Sequence, residues 1–159
     1  MLRRHTIGVL AWAVIALTGA AALAQAQYGS AEEAKAMLLK AIAALKADKA
    51  KALDMFNKGE GGFLDRDLYP FCGNVGDGKV VAVANPNRKQ DIGNDIRGLK
   101  DSTGKAFGQE IYAAGQKPEG QITEVSYLIA RPGDPTPVAK VSFVTRVGDI
   151  YCGVGYYKK

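Results

Sequence analysis

From Ala31 to Lys58 the apolar positions recur at helical spacing. Ala34, Met37, Leu38, Ala41, Leu45, Leu53 and Phe56 form one broad stripe with Lys and Glu opposite. Ser30 followed by Glu33 has the form of a capping box, which predicts where the helix begins. Asp48 suits the cap of a second helix after a break, and Gly59, Gly61 and Gly62 end the segment. The period then changes from helical to alternating. LYPFCGN and KVVAVAN read as two strands, joined by VGDG, whose Asp77-Gly78 step tolerates a left-handed backbone. A polar, turn-rich stretch follows Asn85-Pro86. Helical spacing returns through Phe107, Ile111 and Tyr112, and GQITEVSYLIARPG, PVAKVSFVTRVG and DIYCGVGYYKK then read as three more strands. The first pair of these is joined across PGDPTP and the second across Val147-Gly148-Asp149. Strands linked by such short loops form an antiparallel sheet, so the pattern predicts an α+β fold with the helices packed against one face.

One stretch invites a different reading. GNVGDGKV, Gly73 to Val80, fits all but the last position of the phosphate-binding loop G-x-x-x-x-G-K-[ST]. Val80 stands where a hydroxyl should hold Mg²⁺. The β-branched run behind it reads as a strand, so no helix N-terminus is on hand for a phosphate. The hairpin accounts for every residue and the nucleotide site does not.

The N-terminus narrows the chemistry. Arg3 and Arg4 precede an apolar run from Ile7 to about Leu17, then a small-residue tract with Ala-x-Ala steps at 22–24 and 24–26. This predicts a secretory signal over residues 1–26, short for a membrane span, and one domain over 27–159 that works in the periplasm. Removing that segment removes His5 and Trp12, the single histidine and single tryptophan. Without imidazole there is no Ser-His-Asp or Cys-His catalysis, no His-ligated zinc and no His general base. No spacing selects a carboxylate pair, and neither a catalytic group nor a cofactor is expected. Asp77 and Asp101 fit no calcium loop and read as turn residues. Two of the 21 basic residues lie in the signal, leaving 19 against 16 acids, a mild excess with no run that argues for nucleic acid. Cys72 and Cys152 sit in FCGN and YCGV, outside any C-x-x-C motif; they are either a cross-strand disulfide, if those strands are neighbours, or two buried thiols.

The ordered set DRDLYPFCGN-x-x-DGKVVAVANP at 65–86, GNDIRGLKDSTGKAFGQEI at 93–111, AKVSFVTRVG at 139–148 and YCGVGYY at 151–157 resembles the single Cache domain family, PAS-like extracellular sensor modules of chemoreceptors and sensor kinases. The resemblance implies a five-stranded antiparallel sheet with a long N-terminal helix and a loop-helix segment over the sheet. Its first and last strands would be neighbours, which supports a Cys72–Cys152 bond. It also implies a pocket between the sheet and the loop-helix segment for a small organic acid or amino acid. A stand-alone periplasmic member is expected, a binding or sensory module. The alternative is an interaction protein that docks on a membrane chemoreceptor or sensor kinase with no small ligand of its own. Asn85-Pro86 replaces the His-Pro step of many members, keeping a donor and an acceptor without titrating, and Phe143 replaces a tyrosine.

A carboxylate in a partly dry pocket needs a fixed cation and neutral donors. Lys140, alone in the apolar strand PVAKVSFV, points either into the pocket or, with Val141 and Phe143 inward, to solvent. Arg66 reaches the pocket or pairs with Asp65 or Asp67. Tyr69 and Phe71 share a strand face as packing or pocket wall, Tyr127 offers a hydroxyl, and Asn85 either meets the ligand or caps the next turn.

Overall fold

The computed structural model describes residues 27–131 and 133–158; the expected signal segment lies outside the described residues. Helix α1 spans Ala31–Ala47. It starts at the capping box, where Ser30 Oγ accepts from the Glu33 N–H at 3.2 Å and Glu33 Oε2 accepts from the Ser30 N–H at 2.7 Å. The helix breaks at Asp48, whose carboxylate caps α2, Lys49–Lys58, by accepting from the Lys51 N–H. Gly59 closes α2 in the left-handed conformation, φ 69°.

Five strands form one antiparallel sheet: β1 Pro70–Asn74, β2 Val80–Val83, β3 Thr123–Arg131, β4 Asp134–Val147 and β5 Ile150–Tyr157, in the order β2-β1-β5-β4-β3. The GNVGDGKV stretch is the β1–β2 hairpin, with the Asp77 carboxylate accepting from the Lys79 N–H inside the turn. The first and last strands, β1 and β5, are neighbours with β5 at the sheet centre, and there Cys72 lies directly opposite Cys152 and the two are disulfide-bonded. The β3–β4 turn is tighter than PGDPTP suggests, because the strand pairing resumes at Asp134.

Helix α3, Phe107–Gly115, departs from the sequence expectation that all helices share one face. Helices α1 and α2 cover one side of the sheet, burying Leu38, Leu45 and Phe56 against Cys72, Phe143, Cys152 and Val154. Helix α3 and the loop before it cover the other, packing on Val80, Val125, Tyr127, Val144 and Tyr151. Both sides of the strands are therefore buried, and burial runs unbroken through β4 from Lys140 to Thr145 and through β5 from Ile150 to Gly155.

Candidate ligand-binding site

A narrow cavity lies between the second sheet face and the α3 side. The sheet supplies Tyr69, Phe71, Val80, Val83, Tyr127 and Ile129; the cover supplies Ile96, Leu99, Phe107 and Ile111; Arg88 and Asp91 close the edge. Its interior measures about 40 Å³, room for roughly three waters. A wider, more polar cleft of about 390 Å³ adjoins it, sharing Tyr69, Arg88 and Ile129 and adding Asn85, Asn87, Arg131 and Tyr157.

Strand alternation decides what faces this cavity. Tyr127 lies opposite Lys140 in the β3–β4 pairing, and its hydroxyl shares a 2.8 Å hydrogen bond with Ser142 Oγ. Tyr127 stacks on Phe107, ring centroids 4.2 Å apart, so sheet and α3 are held together at the cavity wall. Lys140 is 3% exposed and points to this side. Its Nζ sits 4.6 Å from the Tyr69 ring centre and 4.5 Å from that of Tyr157, and donates to Tyr69 Oη at 3.5 Å. No carboxylate pairs with it among the described residues. Two aromatic faces in place of an acid make a partial substitute for water around the ammonium. Gly155 makes this possible: a Cβ there would lie 2.6 Å from both Lys140 Cε and Ser142 Oγ.

The electrostatics follow from these neighbours. Burial raises the Tyr69 phenol, but Lys140, the Asn85 side chain and Arg88 together outweigh it and leave Tyr69 below the ordinary tyrosine value. Burial dominates at Tyr127 and Tyr157, whose phenols are pushed well up and stay neutral donors. Tyr157 Oη donates to the Ala130 carbonyl at 2.8 Å.

The expected site residues divide accordingly. Tyr69, Phe71 and Tyr127 line the cavity, Asn85 lines the adjoining cleft, and Lys140 stands behind Tyr69. Asn85 also caps the 3-10 helix Pro86–Asp91, its Oδ1 accepting from the Asn87 N–H at 2.9 Å, as an Asn before Pro does. Two residues belong elsewhere. Phe143 projects to the α1 side and packs on Tyr156, because it is an odd number of positions from Lys140 along the same strand. Arg66 (φ 55°) turns toward the start of α1, pairing with Glu33 at 2.8 Å and Asp65 at 2.7 Å and donating to the Tyr28 carbonyl. Asp101 is a turn residue with a further use: one oxygen accepts from the N–H groups of Thr103 and Lys105, while the other accepts from the Leu128 N–H and ties the cover to β3.

Arg88 and Asp91 were not singled out by sequence, since they lie in the polar stretch after Pro86. Arg88 borders both the cavity and the cleft, and pairs with Asp91 at 2.6 Å. The available signal was their spacing of three just behind a Pro-initiated turn, which puts them on one side of a 3-10 helix. Among the described residues no group of three His, Cys, Asp or Glu side chains converges where a metal could sit.

The model of the single Cache domain 2 family matches residues 13–158. The chain belongs to this family. Cache domains are extracellular or periplasmic sensor domains. Among solved structures, this Cache domain is similar to a periplasmic sensor domain of a chemotaxis protein, at 24% identity and TM-score 0.59 over 80% of this chain and 90% of that one. It is similar to a methyl-accepting chemotaxis protein from Vibrio parahaemolyticus, at 22% identity and TM-score 0.60 over 79% and 86%. A Cache chemosensory domain described for carboxylic acid recognition matches at 22% identity and TM-score 0.61 over 80% and 92%. At these identities the likeness establishes the fold. A search of curated proteins found no match.

Proposed function

We propose that this Cache domain is an exported, noncatalytic binding module for a small molecule bearing a carboxylate. The observation that carries the reading is the cavity itself: a small apolar chamber whose edge holds the Arg88 guanidinium and whose wall is the Tyr69 hydroxyl, with the Lys140 ammonium behind it. A carboxylate entering there exchanges water for a charge-assisted bond from Arg88 and a neutral bond from Tyr69, the pairing a buried anion requires. The carboxylic acid recognition described for a neighbour of the same fold supports the same ligand class. Chamber size limits the remainder of the ligand to a few heavy atoms.

Thermal unfolding of the purified protein against short carboxylates, hydroxy acids, keto acids and amino acids tests this. A ligand at a hundredfold over its dissociation constant adds about 2.7 kcal/mol, a rise of several degrees. The rise should vanish in Arg88→Gln. A flat response across the panel would sink the proposal and favour a domain that docks on a membrane partner instead.

A further inference from the structure

The cavity edge holds both signs of charge. Arg88 Nε and Nη2 both donate to Asp91 Oδ2, at 2.7 and 2.6 Å. The bonds found among the described residues leave Arg88 Nη1 and Asp91 Oδ1 without a protein partner. The pair is held in place from below. Pro86 opens the 3-10 helix, Asn85 caps it, and Lys89 donates to the Asn57 and Val83 carbonyls, anchoring the turn to α2 and β2. Asn57 in turn accepts from the Val83 N–H and donates to the Val81 carbonyl. Both charges are thus fixed at the cavity, each about three-quarters or more buried.

This arrangement discriminates among carboxylates. A simple monoanion that takes Arg88 brings a second carboxylate beside Asp91, and two like charges sharing one guanidinium repel. The other charges nearby do little to relieve this. Lys140 stands behind Tyr69 and Arg131 stacks on Tyr157 in the adjoining cleft, and among the described residues neither forms an ion pair with Asp91. A ligand carrying its own ammonium one carbon from its carboxylate removes the conflict, because the ammonium meets Asp91 while the carboxylate meets Arg88. The groups beyond the charged edge are apolar: Val80, Val83, Ile96, Leu99, Phe107 and Ile111. They suit a methyl to isopropyl side chain in the small interior.

We infer that this cavity takes the zwitterion of a small apolar α-amino acid, its carboxylate on Arg88, its ammonium on Asp91 and its side chain among the apolar wall residues. The inference rests on the cavity being the ligand site, and the test separates the two. Isothermal titration and thermal unfolding are run on the protein with L-alanine, L-2-aminobutyrate and L-valine, and with propionate, lactate and ethylamine as partners of matching skeleton. At least one amino acid should bind tenfold or more tightly than propionate and lactate. Asp91→Asn should erase that preference, weakening the amino acid tenfold or more while leaving propionate unchanged or improved. Arg88→Gln should weaken both classes. The wild-type ratio decides even if a variant folds poorly. Propionate or lactate binding as tightly as every amino acid would overturn the zwitterion and leave the carboxylate-binding reading standing. Silence from this panel would overturn the zwitterion, and silence from the short carboxylates and keto acids as well would overturn both.

Discussion

The two faces of one sheet are buried to similar degrees and built to opposite ends. On β4, Val141, Phe143, Thr145 and Val147 turn to α1 and α2; Lys140, Ser142 and Val144 turn to α3 and its loop. The first face is mainly apolar packing around a disulfide, with Thr145 its buried hydroxyl. The second carries the Lys140 ammonium, the Ser142 hydroxyl and the phenols of Tyr69, Tyr127 and Tyr157 around a cavity and its adjoining cleft. Apolar contact with a cross-link makes a rigid wall, whereas buried polar groups with open space cost stability and are kept where something must be recognised. Stability and recognition are thereby separated by a single residue step along each strand, and mutations one position apart should report on different properties.

The largest effect is expected from the cross-link. Replacing Cys72 and Cys152 by alanine reopens a loop of sequence separation 80, a loss of about 4 kcal/mol on the chain-entropy estimate. The unfolding midpoint should fall by roughly 10–20 °C while ligand affinity of the folded protein stays within twofold. Next comes Phe143→Ala, a truncation on the same face, expected to cost about 3 kcal/mol and again to spare affinity. Denaturant unfolding with titration calorimetry checks both. Lost affinity at Phe143 would mean that the strand register places it in the cavity and that the division of faces is wrong.

The other face should answer in the reverse sense. Lys140→Met removes a buried ammonium that has no acid partner, so stability should change by less than about 1 kcal/mol or rise, while carboxylate affinity falls. Tyr69 gives an independent readout. With Lys140 gone, two of the influences that lower that phenol disappear while burial stays, and its titration should move upward. Ultraviolet titration of wild type and variant measures this directly. An unmoved phenol would show that Lys140 and Tyr69 are not coupled and that the ammonium has no reach into the cavity.

How far the sequence foretold these faces depends on how local the cause is. The capping box at Ser30, the break at Asp48 and the hairpin in place of a phosphate loop rest on neighbouring residues, and they were legible. Lys140 was not, because sliding a strand by one position exchanges its faces. What makes room for it sits on another strand, at Gly155, the residue whose missing side chain leaves space for the lysine stem. Arg66 and Arg88 show the same limit from opposite sides. Both are arginines near strand ends, yet Arg66 is drawn to Glu33 across the start of α1, and Arg88 reaches the cavity because a 3-10 turn folds over it. The helix placement failed for a related reason: an apolar stripe says that a helix packs, without saying on which side of the sheet.

The smallest effect tests the cover of the cavity. Thr103, Leu128 and Lys105 donate to Asp101 and hold its carboxyl at about 2, below the usual value of 3.8. An acid whose value is lowered by folding stabilises the folded state once the pH is above its unfolded value, and that contribution fades as the pH falls through the folded one. Asp101→Asn keeps the size of the side chain and removes the charge, so the variant should be modestly less stable at neutral pH. The gap between wild type and variant should narrow from about pH 4 downward and close near pH 2, read as the difference between two urea-unfolding series. Since the Leu128 bond joins the cover to β3, the same variant should also bind ligand slightly more weakly. A gap independent of pH would place the cause in shape rather than charge, and the tether would then be packing alone.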